Sequence, residues 1–193
     1  MANKPLNTEL LDRAITFAVR AHAGTERRGK GFPYIVHPLE AMAIVSTITP
    51  DQELLAAAVL HDTVEDTNVT IEDIRAEFGD RVASLVKIDS VGDDEGTWHE
   101  HKQKAIDRIA NAPRDAKIVA LGDKLSNMRA IARDYYEQGD NLWNLFHTNN
   151  PKDHEWHYRG LADALRDLNG TFAFNEFEWL INKVFTSSGS QNP

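Results

Sequence analysis

The sequence predicts an all-α fold, a helical bundle of about eight to ten helices. Three observations carry this reading. Apolar residues recur three and four apart along nearly the whole chain, and no stretch alternates as a half-buried strand would. The breaks between periodic runs carry helix punctuation, with Thr or Asp at entrances, Pro in first turns and Gly at exits. The 193 residues contain no cysteine, and they are enough to bury one core without covalent staples.

In order along the chain, Leu11, Ala14, Ile15, Ala18, Val19 and His22 mark one face of a first helix from about Thr8 to Ala23. A basic, glycine-containing loop follows, from Gly24 to Pro33. Pro38 suits the first turn of a second helix carrying Leu39, Met42, Ala43 and Val45, which leaves His37 just outside its N-terminus. Thr49-Pro50-Asp51-Gln52 has a capping-box form, with Pro50 in the first turn, and opens an apolar helix that runs from Leu54 to Leu60 into His61. Thr70 begins another helix that ends near Phe78-Gly79, and Asp80 is placed to cap the next. Ser90 to Gly96 reads as a mobile polar loop. A largely exposed helix from Trp98 to Asn111 and a strong one from Ala116 to about Asp134 follow, the latter preceded by Pro113. A long connection, with a short turn at Leu142–Leu145, leads to helices of about His154–Asn169 and Ala173–Phe185, separated by Gly170. The expected organisation is one domain over residues 1–185 and a disordered polar tail over 186–193.

The charge balance narrows the function. With 21 Lys and Arg against 30 Asp and Glu, the net charge is −9. That argues against a general nucleic-acid or anionic-membrane binder, which would present a basic face. A small polyanionic substrate stays compatible if a metal and a local basic cluster reverse the sign at the site. Without a secretory pattern or a long apolar run, the expected location is the cytoplasm. Oligomeric state is not readable.

The chemistry concentrates in His61-Asp62-Thr63-Val64-Glu65-Asp66, a His and three carboxylates in six residues at the end of a buried helix. Such a group is expensive to place there unless a cation sits on it. Adjacent residues do not share a helix face, but both can grip an ion where the backbone leaves helical geometry. An acidic helix end with a satisfied core histidine is the plain alternative. Two further pieces favour the metal. His37 stands at a helix entrance, and Asp123 and Asn127 lie four apart on one face of an otherwise apolar helix. Two His and two Asp form a natural ligand set for manganese, iron or zinc. Glu65 and Asp66, one turn further on, are candidates to orient an attacking water and accept its proton. Arg27, Arg28 and Lys30 could clamp phosphates or stack on a base. Lys102 could reach phosphates, or be a solvated helix charge. Tyr158 could form the opposite wall, or be plain helix packing.

These blocks in this order, Tyr34-Ile35-Val36-His37-Pro38, then His61-Asp62-x-x-Glu65-Asp66, then Asp123-Lys124-Leu125-Ser126-Asn127-Met128-Arg129, resemble the HD-domain hydrolases of the RelA/SpoT alarmone family. The resemblance runs from about residue 8 to 170 and is similar to a stand-alone small alarmone hydrolase. It implies an HD-domain bundle and manganese-dependent removal of the 3′-pyrophosphate from guanosine tetra- and pentaphosphate, or from their adenine equivalents. It also implies His37, His61, Asp62 and Asp123 as metal ligands and Glu65 and Asp66 as the water-activating pair. Asn127 would lie at the ribose or the metal shell, and Arg28 on the base. The chain departs from the family where Gly29, rather than a second basic residue, follows Arg28, and at Lys87-Ile88-Asp89-Ser90. The rival readings are another HD phosphohydrolase (a nucleotidase, cyclic-nucleotide phosphodiesterase or NADPH phosphatase) and a nucleotide-binding sensor without turnover.

Overall fold

The structure is a computed structural model and describes residues 6–27, 29–89 and 96–186. All regular structure among the described residues is helical, which bears out the all-α class. The α-helices are α1 (Glu9–Ala21), α2 (Val36–Ser46), α3 (Gln52–Leu60), α4 (Thr63–Asp66), α5 (Ile71–Phe78), α6 (Asp80–Asp89), α7 (Trp98–Ala110), α8 (Arg114–Gln138), α9 (Pro151–Ala164) and α10 (Phe172–Thr186). Short 3-10 turns follow α8 (Gly139–Leu145) and α9 (Arg166–Leu168).

Two helices organise the rest. Every residue of α3 from Leu54 to Leu60 is buried. Three consecutive alanines give it a slim cylinder, so α1, α2, α6 and α8 all pack against it. A helix that is apolar all round belongs at the centre of a domain. The long α8 is the spine, in contact with α2, α3 and α10. Gly122 sets the closeness of α2 to α8. A Cβ there would lie 2.7 Å from Val45 Cγ2 and 2.8 Å from the Ala41 carbonyl oxygen. The two backbones therefore meet more closely than any side chain at that position allows, one residue before Asp123.

Several boundaries differ from the expectation. His37 lies inside the first turn of α2, not outside it, because the chain turns over Pro33 and Tyr34 and the helix starts at Val36. Asp51, not Thr49, caps α3 by accepting from the Glu53 N–H at 3.0 Å, and Pro50 stays outside the helix. Asp80 is the first residue of α6 rather than its cap. The eighth helix extends to Arg114 and Gln138, and α9 begins at Pro151, whose ring suits the first turn, with Asn150 as cap. Thr70 and Thr97 each close a full capping box, on α5 and α7. Thr186 is the last residue of α10 rather than tail. The expected loop at 90–95 and the expected tail at 187–193 lie outside the described residues.

Candidate metal centre and active site

The centre forms where α3 stops. His61 ends α3, and Asp62 precedes α4 with φ −89° and ψ −5°. The break lets two adjacent side chains face one point. From the other side, α2 brings His37 and α8 brings Asp123. His37 Nε2 lies 3.1 Å from Asp123 Oδ1 and 3.4 Å from Asp62 Oδ2. His61 Nε2 lies 3.1 Å from Asp62 Oδ2 and 3.5 Å from Asp123 Oδ1. The result is a ring of alternating imidazoles and carboxylates. The ligand atoms of His37, His61 and Asp123 all fall within 4.8 Å of one another. All three side chains are buried, and only Asp62 opens toward solvent.

Both histidines turn a defined nitrogen inward. His61 Nδ1 is 2.8 Å from the Ala58 carbonyl oxygen, which can only accept, so Nδ1 carries a hydrogen and, in the neutral ring, Nε2 presents a lone pair. His37 Nδ1 is 2.8 Å from Ser126 Oγ, whose hydroxyl hydrogen goes to Glu40 Oε2 at 2.8 Å. The same conclusion therefore holds for His37. Two Nε2 lone pairs and two carboxylates facing each other repel unless something positive joins them. Burial pulls both imidazole pKa values down, but Asp62 and Asp123 outweigh it and raise them, that of His61 strongly. For Asp123 burial pushes the pKa up, while Lys124 and the two rings hold it well below the carboxylate range. The group demands positive charge, and its separations of 3.1–3.5 Å suit the edges of a shell with ligands at about 2.1 Å. The donor set fits a divalent ion.

Around this ring the other expected residues fall as follows. Asn127 Nδ2 donates to Asp123 Oδ1 at 2.6 Å, and Asn127 Oδ1 accepts from Arg27 Nη2 at 2.5 Å. Lys30 pairs with Asp134 on α8. Glu65 and Asp66 are exposed and line a groove of about 750 Å³ with Phe17, Ala21 and Asp73. Tyr158 is buried. Burial and the nearby Asp123 push its phenol pKa up, against Lys124 and Arg27. Lys102 sits over the Trp98 ring at 5.9 Å and, with Lys124, acts on His157. Arg28 lies outside the described residues. On the far side of His37 a second cavity, of about 280 Å³, is lined by Arg27, Lys30, Phe32, Val36, Ala130 and Arg133.

Sequence reasoning passed over four contributors. The Tyr34 hydroxyl donates to Asp62 Oδ2 at 2.7 Å. His22 is buried and its ring packs on that of Tyr34, with centroids 4.9 Å apart. Ser126 and Glu40 orient His37. Tyr34 stood inside the quoted block, and Ser126 stood beside Asn127 in another. Glu40 carried a signal too, being one helical turn beyond His37.

A family model described as an HD domain matches residues 14–149. The chain belongs to the HD domain family. The His37–His61–Asp123 cluster of this HD domain is a candidate divalent-metal site. Among curated proteins, it is 36% identical over 134 residues to a guanosine-3′,5′-bis(diphosphate) 3′-pyrophosphohydrolase of Aquifex aeolicus, covering 68% of this chain and 19% of that protein. It is 40% identical over 125 residues to a GTP pyrophosphokinase of Streptomyces coelicolor, covering 63% of this chain and 14% of that protein. The chain thus spans less than a fifth of the length of these curated relatives. Among solved structures, it superposes with a TM-score of 0.74 and 24% identity on a metazoan orthologue of SpoT described as hydrolysing ppGpp, covering 96% of this chain and 99% of that one. A protein of Listeria monocytogenes EGD-e gives a TM-score of 0.70 and 29% identity, over 78% of this chain and 99% of the other. The motif resemblance to RelA/SpoT proteins and the fold likeness agree. No helix among the described residues is long and apolar enough to cross a membrane.

Proposed function

We propose that this HD domain is a manganese-dependent hydrolase of (p)ppGpp-type alarmones. It removes the 3′-pyrophosphate as a unit, leaving GDP or GTP, or the adenine equivalents, with a free 3′-hydroxyl. It would act as a soluble enzyme in the cytoplasm. The observation that carries the reading is the His37–His61–Asp62–Asp123 ring, followed in the chain by the exposed carboxylates Glu65 and Asp66 and adjoined at His37 by a cavity bordered by Arg27, Lys30 and Arg133. The relative named as a 3′-pyrophosphohydrolase supports the substrate class.

In this reading His37, His61, Asp62 and Asp123 hold the ion. When bound, the ion neutralises charge on phosphoryl oxygens and lowers the pKa of a water. The chain's own residues do the rest. Glu65 and Asp66 orient the attacking water and accept its proton. Asn127, which donates to Asp123, would meet the ribose or the metal shell. Arg28, Lys30 and Lys102 take phosphates or the base, and Tyr158 closes the wall near Asp123. Tyr34 keeps Asp62 in place by donating to one of its oxygens.

The test is to incubate the purified chain with guanosine 3′,5′-bis(diphosphate) and manganese and resolve the products by anion-exchange chromatography. The expected products are GDP and pyrophosphate, with turnover abolished by a chelator and restored by manganese. Stepwise orthophosphate release through a 3′-monophosphate would overturn the reading in favour of a phosphatase. Tight binding without turnover would make the protein a sensor.

A further inference from the structure

The two histidines of the centre are held by different means. The Nδ1–H of His61 is fixed by the main chain of its own helix, at Ala58. The partner of His37 Nδ1 is a hydroxyl, which can turn, and so its direction must be set by something else. We propose that Ser126, Glu40, Arg129 and Glu176 form a positioning relay that keeps the His37 Nε2 lone pair on the centre and thereby sets the affinity for the divalent ion. The inference rests on the metal reading above and extends it to residues outside the ligand set.

The geometry runs link by link. A serine hydroxyl has one hydrogen. Here it goes to Glu40 Oε2 at 2.8 Å, leaving an oxygen lone pair for His37 Nδ1 at 2.8 Å. Remove the Glu40 carboxylate, and the hydroxyl can turn and donate to Nδ1. The imidazole would then carry its hydrogen on Nε2, aimed at Asp123 and Asp62, where no ion could bind. Glu40 itself is a partly exposed side chain with freedom to swing. Arg129 Nη1 holds its other oxygen at 3.2 Å. Arg129 is fixed in turn by a two-pronged pair with Glu176, both bonds at 2.7 Å. The links alternate between α2 and α8 and end on α10, so three helices determine which way one imidazole points. Planar, two-pronged geometry is what Arg provides and Lys does not. Partners behind a ligating histidine are worth about 10–100-fold in metal affinity.

The experiment uses the full chain, stripped of metal and titrated with Mn²⁺, with the free ion counted by electron paramagnetic resonance. Melting temperatures of the metal-free proteins are recorded in parallel. Ser126→Ala and Glu40→Ala should each weaken Mn²⁺ binding by about 10–100-fold. The double variant should be no weaker than the worse single variant, because the two act through one another. Glu40→Gln has a single oxygen where Ser126 and Arg129 each use one, and its NH2 would donate to the hydroxyl, so it should weaken binding as Glu40→Ala does. The metal-free melting temperatures should lie close together. Should Ser126→Ala fail to fold, Glu40→Ala and Glu40→Gln decide alone, since both remove the acceptor that Oε2 gives the hydroxyl. Unchanged affinities in a parent that binds Mn²⁺ would overturn the relay and leave the metal reading standing. So would losses that add in the double variant or that track melting temperature. A parent that binds no divalent ion would overturn both.

Discussion

Two carboxylates and one histidine define the tests at the residue scale. Glu65 and Asp66 are exposed beside the centre, but they are not part of its ring. Glu65→Gln and Asp66→Asn should therefore keep the metal content of the parent while slowing turnover by roughly a hundredfold or more, the scale of a lost acid or base. Loss of metal together with activity would make them ligands instead. His157 carries a different prediction. Burial, with Lys102 and Lys124 adding to it, pushes its pKa down from 6.5 to about 3, so the folded protein keeps it neutral. Between those values the unfolded chain binds a proton that the folded one refuses. Its contribution is complete above pH 6.5 and drains away as pH falls toward 3, with a slope of up to about 1.4 kcal/mol per pH unit. Its Nδ1 has no hydrogen-bond partner among the described residues, so His157→Phe sacrifices none of their bonds at that atom. Urea midpoints at several pH values between about 7 and 4 should fall less steeply in His157→Phe than in the parent; parallel curves would refute the assignment. The clustering of His37, His61, Asp62 and Asp123 was legible in the sequence because His and Asp are rarely left in apolar runs without a reason. Its supports were less so. Ser126 and Glu40 are ordinary helix residues until α2 and α8 are brought face to face.

At the scale of the element, the contact of α2 with α8 rests on the absence of a side chain at Gly122. Replacing it with Ala improves helix propensity by about 1 kcal/mol. Against this stands a Cβ at 2.7–2.8 Å from Val45 Cγ2 and the Ala41 carbonyl oxygen. The carbonyl is main chain and cannot rotate away, and overpacking of this kind costs about 1–3 kcal/mol. We expect Gly122→Ala to lower the melting temperature and, by moving Asp123 relative to His37, to weaken metal binding. A variant as stable as the parent, with unchanged metal affinity, would show that the helices can part without consequence. Periodicity and capping residues located most of the helices, since Thr70 and Gly79 act locally and need no tertiary partner, although α9 ends at Ala164 rather than running to Asn169 before Gly170. Where the boundaries slipped, the cause was non-local or subtle. Pro38 allowed His37 to be placed on either side of the α2 start, and the turn over Pro33 and Tyr34 decided it.

Taken as a whole molecule, the chain carries −9 formal charges, yet its proposed substrate is a polyanion. Two of the basic groups near the site are already paired with carboxylates. Lys30 is paired with Asp134 and Lys124 with Asp123. An approaching polyanion meets mainly the net negative field until it is within contact range. Salt screens that repulsion first, since the Debye length shrinks from about 30 Å at 0.01 M to about 8 Å at 0.15 M. Turnover measured as kcat/KM should therefore rise between those ionic strengths, at constant free manganese. A steep fall would show that a basic funnel, rather than the net charge, governs encounter. The overall charge was readable from composition. Its neutralised arrangement around the site was not, because Asp134 lies 104 residues from the lysine it holds.

The position of His61 at the end of α3 has a consequence for metal supply. From Leu54 to Leu60 that helix is buried on every side, and His61 hydrogen-bonds back to Ala58 within it. Segments of this kind open only when the entire protein opens. The scaffold under one ligand is thus as durable as the fold itself, with or without an ion above it. Emptying and refilling the centre is then an exchange at a finished socket, with no refolding step between. On the proposed metal reading, which divalent ion resides there would be set by the relative abundance of ions around the protein and their affinity for two imidazoles and two carboxylates. On that reading, the protein would follow changes in that supply over its lifetime, without being made anew.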